Sequence, residues 1–346
     1  CGVAGMHQHH LSVSGGNENT HYMTSISYSN QEGIMKKTSA EKFAFRSNVD
    51  SKLNRFNFGL NISGNKNNID QPAYISPSGE SSVMRYLSWF SRPTVPVQYS
   101  NGHYGFVDGS LKDNEMMKNP VQYMNLGYRK DESWRFNGKA YAGIDIIDGL
   151  SFKSSFAYAF YLNAIKTYKP KDLGRYDAEG NELKIPGQNN NLQDYYWRES
   201  TWTNENILTY SKKFGLHSIN ALLGHSLISF TRSTTTAGKD GFPTENIFEL
   251  DGGSKNPSAS GNSNEYRLQS FFGRINYSYA DKYLLELNVR HDGSSRMPKS
   301  NRYATFPSVS AGWVFTNEEF MSDYQWLFGK LRFSWGKLGN QLGGIW

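Results

Sequence analysis

Tyr266-Arg267-Leu268-Gln269-Ser270-Phe271-Phe272-Gly273-Arg274-Ile275-Asn276-Tyr277-Ser278-Tyr279, a break at Ala280-Asp281-Lys282, then Tyr283-Leu284-Leu285-Glu286-Leu287-Asn288-Val289-Arg290: the fold is decided in this stretch. Phe271, Ile275, Tyr277 and Tyr279 fall at odd numbers with Gly273 among them, and Arg274, Asn276 and Ser278 fall between. The second run repeats the pattern, setting Leu285, Leu287 and Val289 against Glu286, Asn288 and Arg290, with Leu284 out of step. Period two over two runs joined by three residues predicts an antiparallel β-hairpin with one apolar and one polar face. Water-soluble sheets alternate too. Here the pattern recurs along the chain without complementary apolar segments to cover the greasy faces, which points to a bilayer as the covering medium.

Five further hairpins follow from the same signal. His9–Ser14 pairs with Thr20–Tyr28, and Phe43–Val49 with Arg55–Ser63, where Phe56, Phe58, Leu60 and Ile62 alternate with Asn57 and Asn61. Trp134–Ile146 turns through Asp148-Gly149 into Leu150–Tyr161, Tyr195–Tyr210 turns at Lys212–Gly215 into Leu216–Phe230, and Tyr303–Phe315 pairs with Phe328–Trp335. Between them run long connections rich in Gly, Asn, Ser and Pro: 64–133, 163–194 and 231–263. Short and long connections alternate, as in outer-membrane barrels with tight periplasmic turns and extended outer loops. Val121–Tyr128 would break that alternation as a strand, so it is read as part of a loop, in the form of a short helix. Asn317–Leu327 is long for a periplasmic turn. The count is about twelve strands.

Composition agrees. Counting Gly (33) in place of Tyr (22) moves the apolar fraction from 37% to about 40%, below the roughly 45–50% of soluble domains, while aromatics reach 15%. A chain short of aliphatics and rich in aromatics suits a barrel with aromatic girdles. No run approaches the length of a transmembrane helix, a fact that does not bear on strands. The net charge of +6 is spread, with Lys36-Lys37 and Lys212-Lys213 the densest basic pairs, so nucleic acid is not an expected partner. Cys1 is the single cysteine, which excludes a disulfide framework and a thiolate metal cage. It leads straight into strand sequence, so the chain is expected to be a piece of something longer, not a lipoprotein that begins at its acylated cysteine.

The run Arg290-His291-Asp292-Gly293-Ser294-Ser295-Arg296, with Phe306–Trp313, Glu318-Glu319-Phe320-Met321 and Leu331–Gln341, resembles the SusC/RagA-type TonB-dependent outer-membrane transporters. So do His10–Asn17 and Asn30–Ile34, where that family's barrel begins. His291 and Met297-Pro298 depart from the family's usual residues, in what reads as a loop. The resemblance covers essentially residues 1–346 and implies the first part of one transmembrane β-barrel domain of about 22 strands, plugged when whole. Plug and TonB-contacting segment have no counterpart in this sequence. By resemblance, such proteins import oligosaccharides or peptides across the bacterial outer membrane, with a SusD-type surface lipoprotein as lid and TonB supplying energy. A secreted glycan-binding or adhesin protein is the alternative, and a barrel hydrolase a further one.

His7 and His9 share a strand face, but no carboxylate or cysteine stands near to complete a metal site. His291, Asp292 and Ser294 are too close in one turn for an ordered relay. The sequons Asn61-Ile62-Ser63 and Asn276-Tyr277-Ser278 lie inside strands. The expected roles are therefore neither enzymatic nor cofactor-dependent. Loop aromatics are the candidate ligand-binding residues: Trp89 and Tyr99 in the first long connection, and Tyr195, Tyr196 and Trp197 where the second re-enters the barrel. Such rings stack on sugars or clamp peptide side chains, and an outer aromatic girdle demands the same residue types at the same height.

Overall fold

The computed structural model describes residues 3–72, 96–100, 102, 104, 120–170, 175–176, 182–183, 189–244, 247, 249–324 and 326–339. Period two becomes extended chain: β1 (Met6–Gly16), β2 (Thr20–Glu32), β3 (Ser39–Leu53), β4 (Phe56–Gln71), β5 (Tyr128–Ile147) and β6 (Leu150–Lys169). A two-residue ladder, β7 (Arg175–Tyr176) with β8 (Glu182–Leu183), stands apart. Then come β9 (Asn191–Phe214), β10 (His217–Asp240), β11 (Lys255–Tyr279), β12 (Tyr283–Ser294), β13 (Tyr303–Trp313) and β14 (Leu331–Gly336). Apart from β7 and β8, every strand joins one antiparallel sheet in chain order, twelve strands from β1 to β14. All six expected hairpins are present. Helix α1 (Pro120–Leu126) precedes β5, so Val121–Tyr128 holds the short helix and only Tyr128 of it enters a strand.

Register carries one face across the sheet. Leu60 lies opposite Val49 and Ala140, Phe152 opposite Ile144 and Leu208, and Ile275 opposite Ala221 and Leu287. Every member of this row points the same way, because side chains alternate strictly along paired strands. Leu60, Leu223, Ile275, Leu287 and Phe333 all stay exposed, which in water would be a liability and against hydrocarbon is the requirement. Aromatic pairs on this outward face mark both borders, with Tyr279 against Tyr283 near the short turns and Tyr28 against Phe43 near the long connections. Asn204 and Asn206 also face outward, and they satisfy each other and the Ser155 carbonyl.

Strand length departs from the sequence reading. One bilayer crossing takes about 9–11 tilted residues. β1 and β13 have 11 residues and β12 has 12, whereas β9 and β10 have 24 and β11 has 25. The short turns are tight: Asp148-Gly149 relies on Gly149 at φ 79° and the β9–β10 turn on Gly215 at φ 55°. The excess length therefore rises on the other rim. Much of what reads as loop in 64–133, 163–194 and 231–263 is strand: β4 runs on to Gln71, β6 to Lys169 and β10 to Asp240. Beyond the bilayer neither face needs to be apolar. Ser233-Thr234-Thr235-Thr236 opposite Ser260-Gly261-Asn262-Ser263 shows no contrast of period two, yet its backbone is fully laddered. β12 likewise continues through His291 and Ser294, so His291 belongs to a strand and not to a loop.

Each rim is locked by its own contacts. On the short-turn side the Val314–Lys330 connection winds through 3-10 turns at Phe315–Asn317 and Glu319–Tyr324. Glu318 ties it to the β11–β12 turn, accepting hydrogen bonds from Tyr283 Oη (2.7 Å), Lys282 Nζ (2.9 Å) and Trp313 Nε1 (3.0 Å). These donors, Tyr283 first and then Lys282 and Trp313, hold its carboxyl down at about 2. On the tall rim the β10–β11 connection folds back onto the outward face. Phe242 packs edge-on against Tyr168, 6.1 Å between ring centroids, beside the fully buried Leu192, with Tyr128, Ile247 and Leu250 around them. Asn190 donates to the Tyr168 hydroxyl and the Phe242 carbonyl and accepts from the Phe242 N–H, so the buried Asn190 amide is paired.

Candidate functional site

Tyr195, Tyr196 and Trp197 are consecutive in β9, so they do not act as one cluster. Trp197 lies opposite Asn163 and Thr234 on the inward face, and Tyr195 shares that face. Tyr196, opposite Ala164 and Thr235, points outward and is 47% exposed. All three stand at least 17 residues above the Phe214 end of β9, beyond the reach of one crossing and above the outer girdle. Tyr99 is in a different element, a turn of the β4–β5 connection closed by the Gly102 N–H on its carbonyl at 3.0 Å. Trp89 lies outside the described residues.

What the fold brings together around Trp197 is a band of side chains crossing the inward wall, each within two residues of the register row through Tyr161, Glu199 and Arg232. Arg135 of β5 lies over the Tyr161 ring of β6, its Cζ 5.1 Å from the centroid. Tyr161 meets Trp197 edge-on at 5.8 Å. Arg232 of β10 covers Trp197 at 5.1 Å and approaches Phe230 at 5.6 Å. Phe230 stacks on Tyr266 of β11 at 4.9 Å, and Arg296, just past β12, sits 3.9 Å from the Tyr266 centroid. Register explains the order, since Arg135 faces Tyr161 and Phe230 faces Tyr266 directly. Glu199, opposite Arg232, accepts from its Nε and Nη2 at 2.6 Å each. Trp197 Nε1 and Asn163 Oδ1 are enclosed without hydrogen-bond partners.

Apart from Trp197, these residues escaped the sequence reading. Phe230 and Tyr266 read there as strand ends, Arg135 as an unremarked residue of a strand, and Arg232 as part of the 231–263 connection. The other sequence candidates are placed apart from this wall. His7 and His9 face outward with ring centroids 5.6 Å apart and Tyr28 beside them. Among the described residues no three His, Cys, Asp or Glu side chains gather to hold a metal. His291 stacks on Tyr303 outside, while Asp292 pairs with Arg290 inside, so the adjacent residues lie on opposite faces.

No family model matches the chain. TonB-dependent receptor P3 of Formosa agariphila is 32% identical over 338 residues, covering 95% of this chain and 32% of that protein. TonB-dependent receptor SusC of Bacteroides thetaiotaomicron is 27% identical over 356 residues, covering 96% of this chain and 33% of its own length. Over nearly its whole length the chain is similar to curated TonB-dependent receptors, SusC among them. The solved structure of the RagAB peptide transporter shares the fold, with a TM-score of 0.73 at 22% identity over 96% of this chain and 36% of that one. The location that this similarity supports is the outer membrane, and the relatives are named as TonB-dependent receptors. The chain spans about a third of the length of the curated relatives it matches. Its twelve-stranded sheet is an incomplete barrel.

Proposed function

We propose that the protein carrying this chain imports oligosaccharide or peptide nutrients across the outer membrane, driven by TonB and capped by a SusD-type lipoprotein. Residues 1–346 form part of one barrel domain in this reading, with the plug and the TonB contact supplied by other parts of a longer chain. The supporting observation is the uneven wall. Strands flush with the short-turn rim rise on the opposite rim to twice a membrane crossing, which makes a deep outer vestibule beneath a lid. Catalysis in this reading is absent, and the work done is binding and gated passage.

The test is uptake by cells expressing the full-length receptor with and without a functional TonB system, together with affinity purification of the receptor from membranes. Uptake lost with TonB, and co-purification of a surface lipoprotein, are the expected results. Uptake that persists without TonB would refute the energy source, and a receptor that purifies alone from gently solubilised membranes would refute the lid.

A further inference from the structure

Resting on the import reading, we propose that the row from Arg135 to Arg296 is an anion-recognising wall, and that the ligand it admits is an oligosaccharide bearing carboxylate or sulfate groups. The decisive geometry is what covers each ring. Arg135 lies over Tyr161, Arg232 over Trp197 and Arg296 over Tyr266, at 5.1, 5.1 and 3.9 Å. One face of each aromatic ring is thus already taken by a guanidinium. The wall presents cations propped on rings where bare rings would be needed to stack on a neutral sugar. Stacking fixes the planar fork in advance, so less side-chain freedom is lost when an oxyanion binds, and a fork matches carboxylate and sulfate oxygens.

The charge balance points the same way. Arg232 has Glu199 as its counter-ion. Arg135 and Arg296 form no ion pair among the described residues, and the Arg296 Nε is enclosed without an acceptor. Counting strands, Arg135 and Arg232 are three spacings apart and Arg232 and the strand that leads to Arg296 two, roughly 14 and 10 Å. The wall beside them is hydroxyl and amide: Thr234 donates to Asn262 at 2.8 Å, with Ser260 and Asn264 on the same face. Groups of that kind suit sugar hydroxyls, whereas an acidic peptide would also need pockets for its other side chains.

The experiment titrates the purified full-length receptor with three probes of matched length: an oligogalacturonate, a neutral maltooligosaccharide and an oligoglutamate. The oligogalacturonate should bind about tenfold tighter than either other probe, with an affinity that falls as salt is added. Arg135→Gln and Arg296→Gln should each weaken it by about tenfold and leave the neutral probe unchanged. Arg135→Lys, which keeps the charge and loses the stacked plane, should recover part of the loss. Equal or stronger binding of the neutral chain, no binding of the oligogalacturonate, or variants indistinguishable from the parent would overturn the proposal. Preference for oligoglutamate would overturn the sugar class. TonB-dependent uptake of a neutral chain or a peptide would leave the import reading standing while this one failed.

Discussion

Placing an arginine at successive positions of β4 tests the assignment of faces and depth together. Strands rise about 3.3 Å per residue, and a tilt near 45° reduces this to roughly 2.3 Å along the membrane normal. Leu60 and Ile62 are four and six residues above Phe56 at the turn, so they sit roughly 9 and 14 Å up, on either side of the middle of an apolar band about 25 Å tall. Phe58 is only about 5 Å up by the same rise, near the interface. Leu60→Arg should therefore cost ~2–4 kcal/mol, Phe58→Arg ~0–1 kcal/mol more than an inward substitution, and Asn61→Arg, facing the lumen, little. Urea titration of the full-length receptor refolding into vesicles measures all three. Equal costs for Leu60→Arg and Asn61→Arg would refute the facing, and a larger cost at Phe58 than at Leu60 would refute the depth.

The other expectations concern the rims and the wall. Glu318 has its pKa lowered from its ordinary value near 4.5 to about 2, so its contribution is complete above pH 4.5 and fades as pH falls toward 2. Proteolysis of the Val314–Lys330 connection should therefore rise across that window in the parent, and be raised but flat in Glu318→Gln; a parent with no change over the window would contradict the assignment. Leu192→Ala empties a fully buried site in the small outer core and should cost that core ~2–5 kcal/mol, seen as faster nicking of residues 241–254, while the heat-stability of the barrel is unchanged. Trp197→Ala should weaken ligand binding and spare barrel stability, and Tyr196→Ala, on the opposite face, should spare binding. The reverse ranking would show that the wall had been given the wrong face.

Much of this architecture is legible before any coordinates, for a reason specific to barrels. In lipid, backbone polar groups must pair with neighbouring strands, and one face must be apolar, so Phe56, Phe58, Leu60 and the odd residues from Phe271 to Tyr279 announce both strand and facing. The contrast ends where the solvent changes. Above the outer border, Thr234–Thr236 and Asn262–Asn264 are polar on both faces, so composition reads as loop what pairing makes strand. Pairing is a matter between distant segments, and no local pattern reports it.

The candidate wall shows the same division. From the sequence, Trp197 is an aromatic among charges, and its neighbours Tyr195 and Tyr196 look like partners. Adjacent residues in a strand point to opposite sides, so they are not. Its actual neighbours, Tyr161, Arg232 and then Phe230 and Tyr266, come from three other strands and are brought near it on the same face by the registers β6–β9, β9–β10 and β10–β11, two to four residues from its direct partners. The sequence by itself determined which residues alternate, where the chain turns, and that a bilayer covers one face, because those depend on contacts between near neighbours and the solvent. Only the tertiary structure decided how tall the wall stands and which rings carry which guanidinium, because register joins residues tens of positions apart through backbone hydrogen bonds that look alike from any one strand.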